Sequence, residues 1–406
     1  MRLFAARTGA KGVVSIEGSV RGGRAYLPAL ERMVPEIAAG LLDADTKRRT
    51  KDALRNLLAE RGASLAFTAD ANRIFFRASC FPEDVTFIYK LIVECLTEAE
   101  FKATEIKHER LRQLGELKEA ESETWNQAER AFSQLVFAPD HVNYLPTFAE
   151  DTDALARVGR RDLTNFQKLF GRDGLIVATA GDIAPDETLK AAERAFSALP
   201  LGIPRATFVR NGLKAASREK LVTIPDKANI DAFIGMSIPL DYRDPQYLPC
   251  FMLVDMLGGA GIFTGHLMST VRERDGLTYG IHATLAGFGA GTDGALRITA
   301  AFSPENYQRG LDTTLNETRT FLRKNLTDER LTANQDKLDG YYAISLSTSR
   351  GVSSALHKLG REGRPLSYLD EYPALLRAIT VDDLRTVARL IDPEKFAIAA
   401  AGSFKK

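Results

Sequence analysis

Residues 162–181 read DLTNFQKLFGRDGLIVATAG, and residues 383–402 read DLRTVARLIDPEKFAIAAAG. The two stretches align without a gap at an offset of 221 residues, and each runs from a helical pattern into an apolar strand that closes on Ala-Gly. Two shorter matches keep nearly the same offset, namely YLP at 26–28 and 247–249 (221) and FPE at 81–83 with SPE at 303–305 (222). Three registers that agree over most of the chain indicate an internal duplication.

Each half of the duplication has the same order of patterns. An apolar strand leads into a helix that starts near the Tyr-Leu-Pro, and a second helix ends at a glycine, Gly62 or Gly276. A β-rich stretch, long amphipathic helices and a closing strand follow. The strands expected in the first and second halves are, in turn, Val13–Ile16, Arg73–Arg77 and Val177–Gly181, then Ala232–Met236, Ala295–Thr299 and Ile398–Gly402.

Strands and helices mix within each half, and this pattern predicts an α+β fold of two homologous α/β-sandwich half-domains. We expect the first repeat at 1–201 and the second at 221–406. Residues 202–220, which carry Gly and Pro among scattered Arg and Lys, are interpreted as the linker.

The composition is that of a folded chain without a dominant charge. The 406 residues are 45% hydrophobic and 26% charged, which suits about two domains with proper cores. Lys and Arg number 54 against 53 Asp and Glu, so no charge pattern marks nucleic acid or an anionic membrane as a partner. No apolar run reaches the length of a membrane span.

The cysteines and the N-terminus suggest a compartment. Cys80, Cys95 and Cys250 are odd in number, widely spaced and set among apolar neighbours, which indicates buried thiols in a reducing environment. The N-terminal residues lack the apolar core of a signal peptide. We therefore expect a cytoplasmic location.

The stretch GGAGIFTGHLMSTVRERDGLTYG at 258–280 carries the candidate site, with Arg272 and Tyr279 seven positions apart behind a glycine-rich turn. An Arg fork and a Tyr hydroxyl are suitable donors for a peptide carbonyl and its developing oxyanion. Structural alternatives stay open. Arg272 could belong to a salt-bridged helix end, Tyr279 could pack its ring in the core, and the glycines could form only a helix C-cap. His266 is interpreted as a packing or capping residue.

This stretch resembles the pitrilysin and insulinase family of zinc peptidases, which includes the mitochondrial processing peptidase subunits and the core subunits of the respiratory cytochrome reductase. It follows that family's signature Leu-Gly-Gly … Leu … Leu-Arg-Glu-x-x-Gly-Leu-x-Tyr as LGG at 257–259, Leu267 and VRERDGLTYG at 271–280. The resemblance implies that Arg272 anchors a substrate backbone carbonyl and that Tyr279 hydrogen-bonds the carbonyl oxygen as it becomes tetrahedral. It also implies close approach of the peptide to the backbone of Gly258, Gly259 and Gly261.

The resemblance breaks in the first half. Active members carry His-x-x-Glu-His a few residues before a Gly-Thr, and placing Asp45-Thr46 on that Gly-Thr puts EIAAG, residues 36–40, at the motif. Glu36 and Gly40 then replace the two metal-binding histidines, and Ala39 replaces the general base. In the family a zinc-ligand glutamate lies in the region 105–123, but without the histidines we assign no role to Glu116 or Glu119. None of the five histidines pairs with another at i, i+4 spacing, so we expect no metal in this chain.

These features predict the non-zinc subunit of a peptidase, inactive alone. In two-chain members of the family the zinc motif and the Arg/Tyr pair are divided between subunits, so the resemblance implies a zinc-bearing homologous partner and an extended peptide substrate. A heterodimer is the first choice and a homodimer the second. Two alternatives stay open. The chain could be a catalytically inert structural or peptide-binding module, like the respiratory core subunits, or the second half of a longer two-lobe peptidase.

Overall fold

The structure is a computed structural model that describes residues 1–204, 208, 210–214, 216–259, 265–289 and 291–404. Its strands are β1 Arg2–Arg7, β2 Val14–Arg21, β3 Ser64–Ala69, β4 Arg73–Cys80, β5 Ile176–Gly181, β6 Arg218–Thr223, β7 Ile230–Ile238, β8 Thr278–Ala286, β9 Gly294–Phe302 and β10 Ala397–Gly402. Its α-helices are α1 Val34–Leu41, α2 Lys51–Glu60, α3 Val85–Glu98, α4 Ala103–Ser122, α5 Thr124–Val136, α6 Phe148–Arg157, α7 Arg160–Gln167, α8 Pro185–Phe196, α9 Tyr247–Gly258, α10 Tyr307–Lys324, α11 Asp328–Ser345, α12 Ser349–Glu362, α13 Tyr368–Arg377 and α14 Val381–Ala388. A π-helix spans Met268–Arg274.

The two halves build the same sheet. The strand order is β1-β5-β2-β4-β3 in the first and β6-β10-β7-β9-β8 in the second. In each sheet one edge strand, β1 or β6, pairs in parallel with the closing strand, β5 or β10, and the remaining pairs are antiparallel. The closing strands start at Ile176 and Ala397, which keeps the offset of 221 seen in the sequence. The duplicated α+β fold is therefore confirmed.

All six expected strands lie within observed strands, apart from Val13 at the start of the first. Neither edge strand of either sheet was expected as a separate strand: β3 and β8 lie in the expected β-rich stretches, whereas β1 and β6 were missed altogether. Neither β1 nor β6 contains a buried residue, so neither has the apolar period that marks a strand in a sequence. β6 begins at Arg218, inside the stretch interpreted as a linker. In the first half, the helix expected near Tyr26 is replaced by two short 3₁₀ turns, and α1 begins only at Val34, with Pro35 in its first turn.

Contacts divide the chain into two compact units that each take in a segment of the other half. One unit comprises Met1–Leu117, Phe148–Ala206 and Tyr342–Asp370, and the other comprises Lys118–Thr147, Thr207–Tyr341 and Glu371–Lys406. The first unit thus contains α12, which meets its sheet through hydroxyl contacts such as Ser15 Oγ with Ser353 Oγ at 3.0 Å. The second contains α5, which meets its sheet through apolar residues, including Phe132 against Phe233. The linear division at 1–201, 202–220 and 221–406 stays a prediction about the repeat.

Each unit has its own apolar core. In the first, residues of β2, β4, α3 and α8 enclose Tyr89 and Phe196, whose ring centroids lie 5.4 Å apart. In the second, residues of β7, β9, α9 and α14 pack around Phe302. Among the described residues, no helix combines the length and the apolar character that a membrane crossing requires.

Candidate functional site

Arg272 lies on the π-helix Met268–Arg274, between α9 and β8. The wider turn is visible where the segment ends, because the Asp275 N–H donates to the Thr270 carbonyl, five residues back, at 3.1 Å. Gly276 follows with φ of +63°, a left-handed conformation that favours glycine and reverses the chain into β8. π-helical segments are rare and are frequently found at functional sites.

Tyr279 lies on a β-bulge at the start of β8, which is an edge strand of its sheet. Thr278 pairs with Phe302 and Ile281 pairs with Ala300, so two residues of β8 stand opposite the single residue Ala301. The Thr278 hydroxyl donates to the Ala301 carbonyl at 2.6 Å and secures the bulge. A bulge redirects side chains. The Tyr279 side chain is 86% exposed, so the alternative in which its ring packs in the core does not hold.

The turn between the π-helix and β8 brings the two predicted residues together. The Arg272 guanidinium carbon lies 5.7 Å from the centroid of the Tyr279 ring, within the range of a cation–π contact. Arg272 Nη1 also lies 4.0 Å from Met268 Sδ, one turn back. Arg274, two residues further on, forms ion pairs with Asp275 at 2.8 Å and with Glu317 at 3.0 Å. Arg272 thus lies beside an exposed tyrosine, next to an arginine that is anchored by two carboxylates.

The glycines upstream have structural roles in α9. Gly258 is buried where α9 crosses β8, and a Cβ there would stand 2.6 Å from the Ala283 Cβ. Gly259 is also buried, and its N–H donates to the Asp255 carbonyl at 2.7 Å to cap the helix. Gly261 lies outside the described residues. Contact of these three glycines with a peptide stays a prediction.

Gly258→Ala should lower the free energy of unfolding by about 2 kcal/mol, since overpacking a well-filled interior typically costs about 1–3 kcal/mol. Urea unfolding or calorimetry measures the change. Gly340→Ala is the matched control, because Gly340 lies in α11 and a Cβ added there would meet nothing within 4 Å. The control should be neutral or more stable by about 0.5–1 kcal/mol. Equal stability of Gly258→Ala and wild type would contradict the packing role.

Residues 36–40, which occupy the position of the metal motif, lie on α1, in the first unit. Glu36 is half-buried, and its Oε2 has neither solvent contact nor a hydrogen-bond partner among the described residues. Burial raises the pKa of this carboxyl to about 7, although Arg24 opposes the shift. At Gly40 the space of a Cβ is taken by the carboxylate of Glu109, a buried residue of α4.

Glu109 is the residue of this region that sequence reasoning missed. Its carboxylate is held by the Arg112 guanidinium, with Nε to Oε2 at 2.8 Å, and by the Gln113 amide at 3.0 Å. Burial by itself would raise the pKa of Glu109, but these hydrogen bonds outweigh it and the pKa is lowered. The buried face of α4 is Ile106, Glu109 and Gln113, a helical spacing that could have identified it. Glu116, which lies in the region where the family has a zinc-ligand glutamate, has a side chain that is largely exposed.

The residues at the motif do not fit a zinc ion. Two imidazoles are replaced by a carboxyl and a glycine, and the nearby Glu109 carboxylate already faces a guanidinium. Within the described ranges, no group of three or more His, Cys, Asp or Glu could hold a metal.

Comparison with known proteins gives consistent results for both halves. Residues 158–338 match the family profile described as the peptidase M16 inactive domain, and residues 41–144 match that of insulinase, peptidase family M16. A protein of Streptomyces coelicolor named as an uncharacterized zinc protease is 23% identical over 398 residues, which is 95% of this chain and 83% of the relative.

Two solved structures show the same fold. A peptidase M16 inactive domain from Pseudomonas fluorescens is 18% identical with a TM-score of 0.88, over 100% of this chain and 96% of that one. A periplasmic protease from Escherichia coli is 15% identical with a TM-score of 0.80, over 98% of this chain but only 44% of that one. At these identities the likeness concerns the fold.

Proposed function

Because the chain belongs to the insulinase (M16) family of peptidases, we propose that it is a non-zinc subunit that supplies Arg272 and Tyr279 to peptide-bond hydrolysis by a zinc-bearing partner chain. The observation that carries this proposal is the exposure of Tyr279. A tyrosine that is 86% exposed gains nothing from core packing, yet a bulge directs it outward beside a guanidinium.

The two side chains suit the carbonyl of an extended peptide. The Arg272 guanidinium donates to a backbone carbonyl and so fixes the register of the peptide. The Tyr279 hydroxyl donates to the carbonyl oxygen of the scissile bond as negative charge develops there. This second interaction strengthens in the transition state and therefore lowers the barrier. The cation–π contact holds the two groups side by side at 5.7 Å.

The remaining chemistry must come from a partner. The motif residues Glu36, Ala39 and Gly40 supply a single carboxylate, which is neither a set of zinc ligands nor a ligand set with a separate general base. We propose a heterodimer with a homologous chain that carries His-x-x-Glu-His and binds the zinc, whose bound water is the nucleophile. We place the complex in the cytoplasm because the three cysteines are free and buried, and cell fractionation of the native source tests this point.

Reconstitution tests the proposed function. The chain and a zinc-bearing homologous subunit encoded beside it are purified separately and mixed, and hydrolysis of a fluorogenic peptide is followed. We expect a one-to-one complex that cleaves the peptide, with each chain alone at background. A stable homodimer that ignores the zinc-bearing subunit and cleaves nothing would instead identify an inert structural module.

A further inference from the structure

A single carboxylate holds both ends of the segment that carries Arg272. Glu317 lies on α10, with a side chain only 12% exposed. Its Oε2 accepts from the ring of His266, just before the π-helix, and its Oε1 accepts from Arg274, the last residue of that helix. The two distances are 2.9 and 3.0 Å. Arg272 lies between the two anchored residues.

The first anchor is oriented by its own neighbours. His266 is 6% exposed, and its ring lies 5.2 Å from that of Phe321. Arg330 donates to His266 Nδ1 at 3.5 Å, which leaves the ring proton on Nε2, facing Glu317. The His266 carbonyl in turn accepts from the Thr270 hydroxyl at 2.8 Å, inside the π-helix. This end is therefore joined to Glu317 through a fixed ring.

The second anchor is a charge network. The Arg274 guanidinium makes two bonds of 2.8 Å to Asp275 while it reaches Glu317. Arg274 is itself about half exposed, so solvent weakens this ion pair, but its fork geometry fixes the direction of the segment. π-helical turns are rare, and both ends of this one are held by contacts to α10.

We propose that Glu317 is a positioning residue for Arg272. Glu317 holds the π-helix at both ends and so determines the position of the Arg272 guanidinium beside Tyr279. Its effect on hydrolysis rests on the proposed function. Small displacements of a positioned group are costly, because a shift of about 1 Å can lower a rate about 100-fold.

Glu317→Gln is the sharpest variant, because an amide keeps the shape but offers one acceptor where the carboxylate offers two. In the chain alone, we expect hydrogen exchange of the amides of residues 266–277 to become at least about tenfold faster, the equivalent of about 1.4 kcal/mol in local opening. Asp312→Asn is the matched control, since Asp312 lies on the same helix α10 and its carboxylate accepts a hydrogen bond from Gln308, away from the π-helix. Unchanged exchange in Glu317→Gln would overturn the anchoring role, whatever the chain's function.

A double-mutant cycle in the reconstituted complex tests the link to Arg272. Glu317→Gln should lower kcat/KM about tenfold in the wild-type background and less than about twofold in the Arg272→Ala background, since the two residues act as one unit. Equal losses in both backgrounds would reject positioning through Arg272. If Arg272→Ala itself leaves activity unchanged, the proposed function fails, and the exchange experiment still decides the anchoring role.

Discussion

Tyr279→Phe is expected to lower kcat of the reconstituted complex about 100- to 1,000-fold, the usual loss when one oxyanion donor is removed, while KM changes little. The physical reason is that phenylalanine keeps the ring, and with it the contact to Arg272, but removes the only donor of the side chain. Because the ring is 86% exposed, the substitution should leave the free energy of unfolding unchanged. Steady-state kinetics with a peptide substrate, alongside thermal unfolding, measure both quantities.

Tyr341→Phe is the matched control for this prediction. Tyr341 is also an exposed tyrosine, at 38%, but it lies on α11 and has no part in the proposed site. The control should keep full activity. A Tyr279→Phe variant with wild-type kcat would remove the hydroxyl from the proposed chemistry and leave the ring as a surface contact.

Much of the fold could be predicted from the sequence because duplication and apolar period are local signals. The 221-residue offset and the buried patterns of β2, β5, β7 and β10 are read directly along the chain. The outer strands β1 and β6 are held mainly by pairing with a strand far away in sequence, so their own residues carry no period. The exchange of α5 and α12 between the two units is a tertiary effect of the same kind.

The residues of the candidate site also differ in how well the sequence predicts them. Arg272 and Tyr279 are close in sequence and joined by one turn, so their spacing along the chain predicts that they lie together. Glu317 reaches the π-helix from α10, 43 residues after Arg274, and Glu109 reaches Gly40 from α4. The Glu317 contact leaves no local pattern, because a carboxylate on a helix is interpreted as part of a solvated face until its neighbours are known. For Glu109, the helical spacing with Ile106 and Gln113 is a local signal, but it does not show that the carboxylate lies against Gly40.

The double variant Glu36→His, Gly40→His is expected to bind zinc, because it restores two histidines at the position of the metal motif. Positions 36 and 40 are one turn apart on α1, so two histidines there face the same side. Glu109 already lies against position 40 and would complete a His₂Glu set of zinc ligands. We expect about one equivalent of zinc with a Kd of about 1 µM or tighter, where the wild-type chain binds none with that affinity.

The balance of free energies favours the metal in this variant. A side chain at position 40 must push the Glu109 carboxylate away from Arg112, and a hydrogen bond to a charged group is worth about 1.5–3 kcal/mol. Structural zinc sites bind the ion with about 10–16 kcal/mol, so most of the binding free energy remains after this loss, and about 8 kcal/mol is enough for a Kd of about 1 µM. Replacing Glu36 also removes a carboxyl whose pKa burial raises to about 7. Metal analysis after dialysis and zinc titration by calorimetry measure the outcome.

Adding Glu109→Gln to the double variant is the control, since an amide is a poor zinc ligand and the site should lose most of its affinity. Retention of zinc in that triple variant would mean that the ion has found other ligands. Absence of zinc from the double variant itself would mean that α1 and α4 no longer hold the geometry of a metal site. The arrangement of these two helices, and not only the residues at positions 36, 39 and 40, would then prevent zinc binding by this chain. A catalytic zinc would in that case have to be bound by another polypeptide.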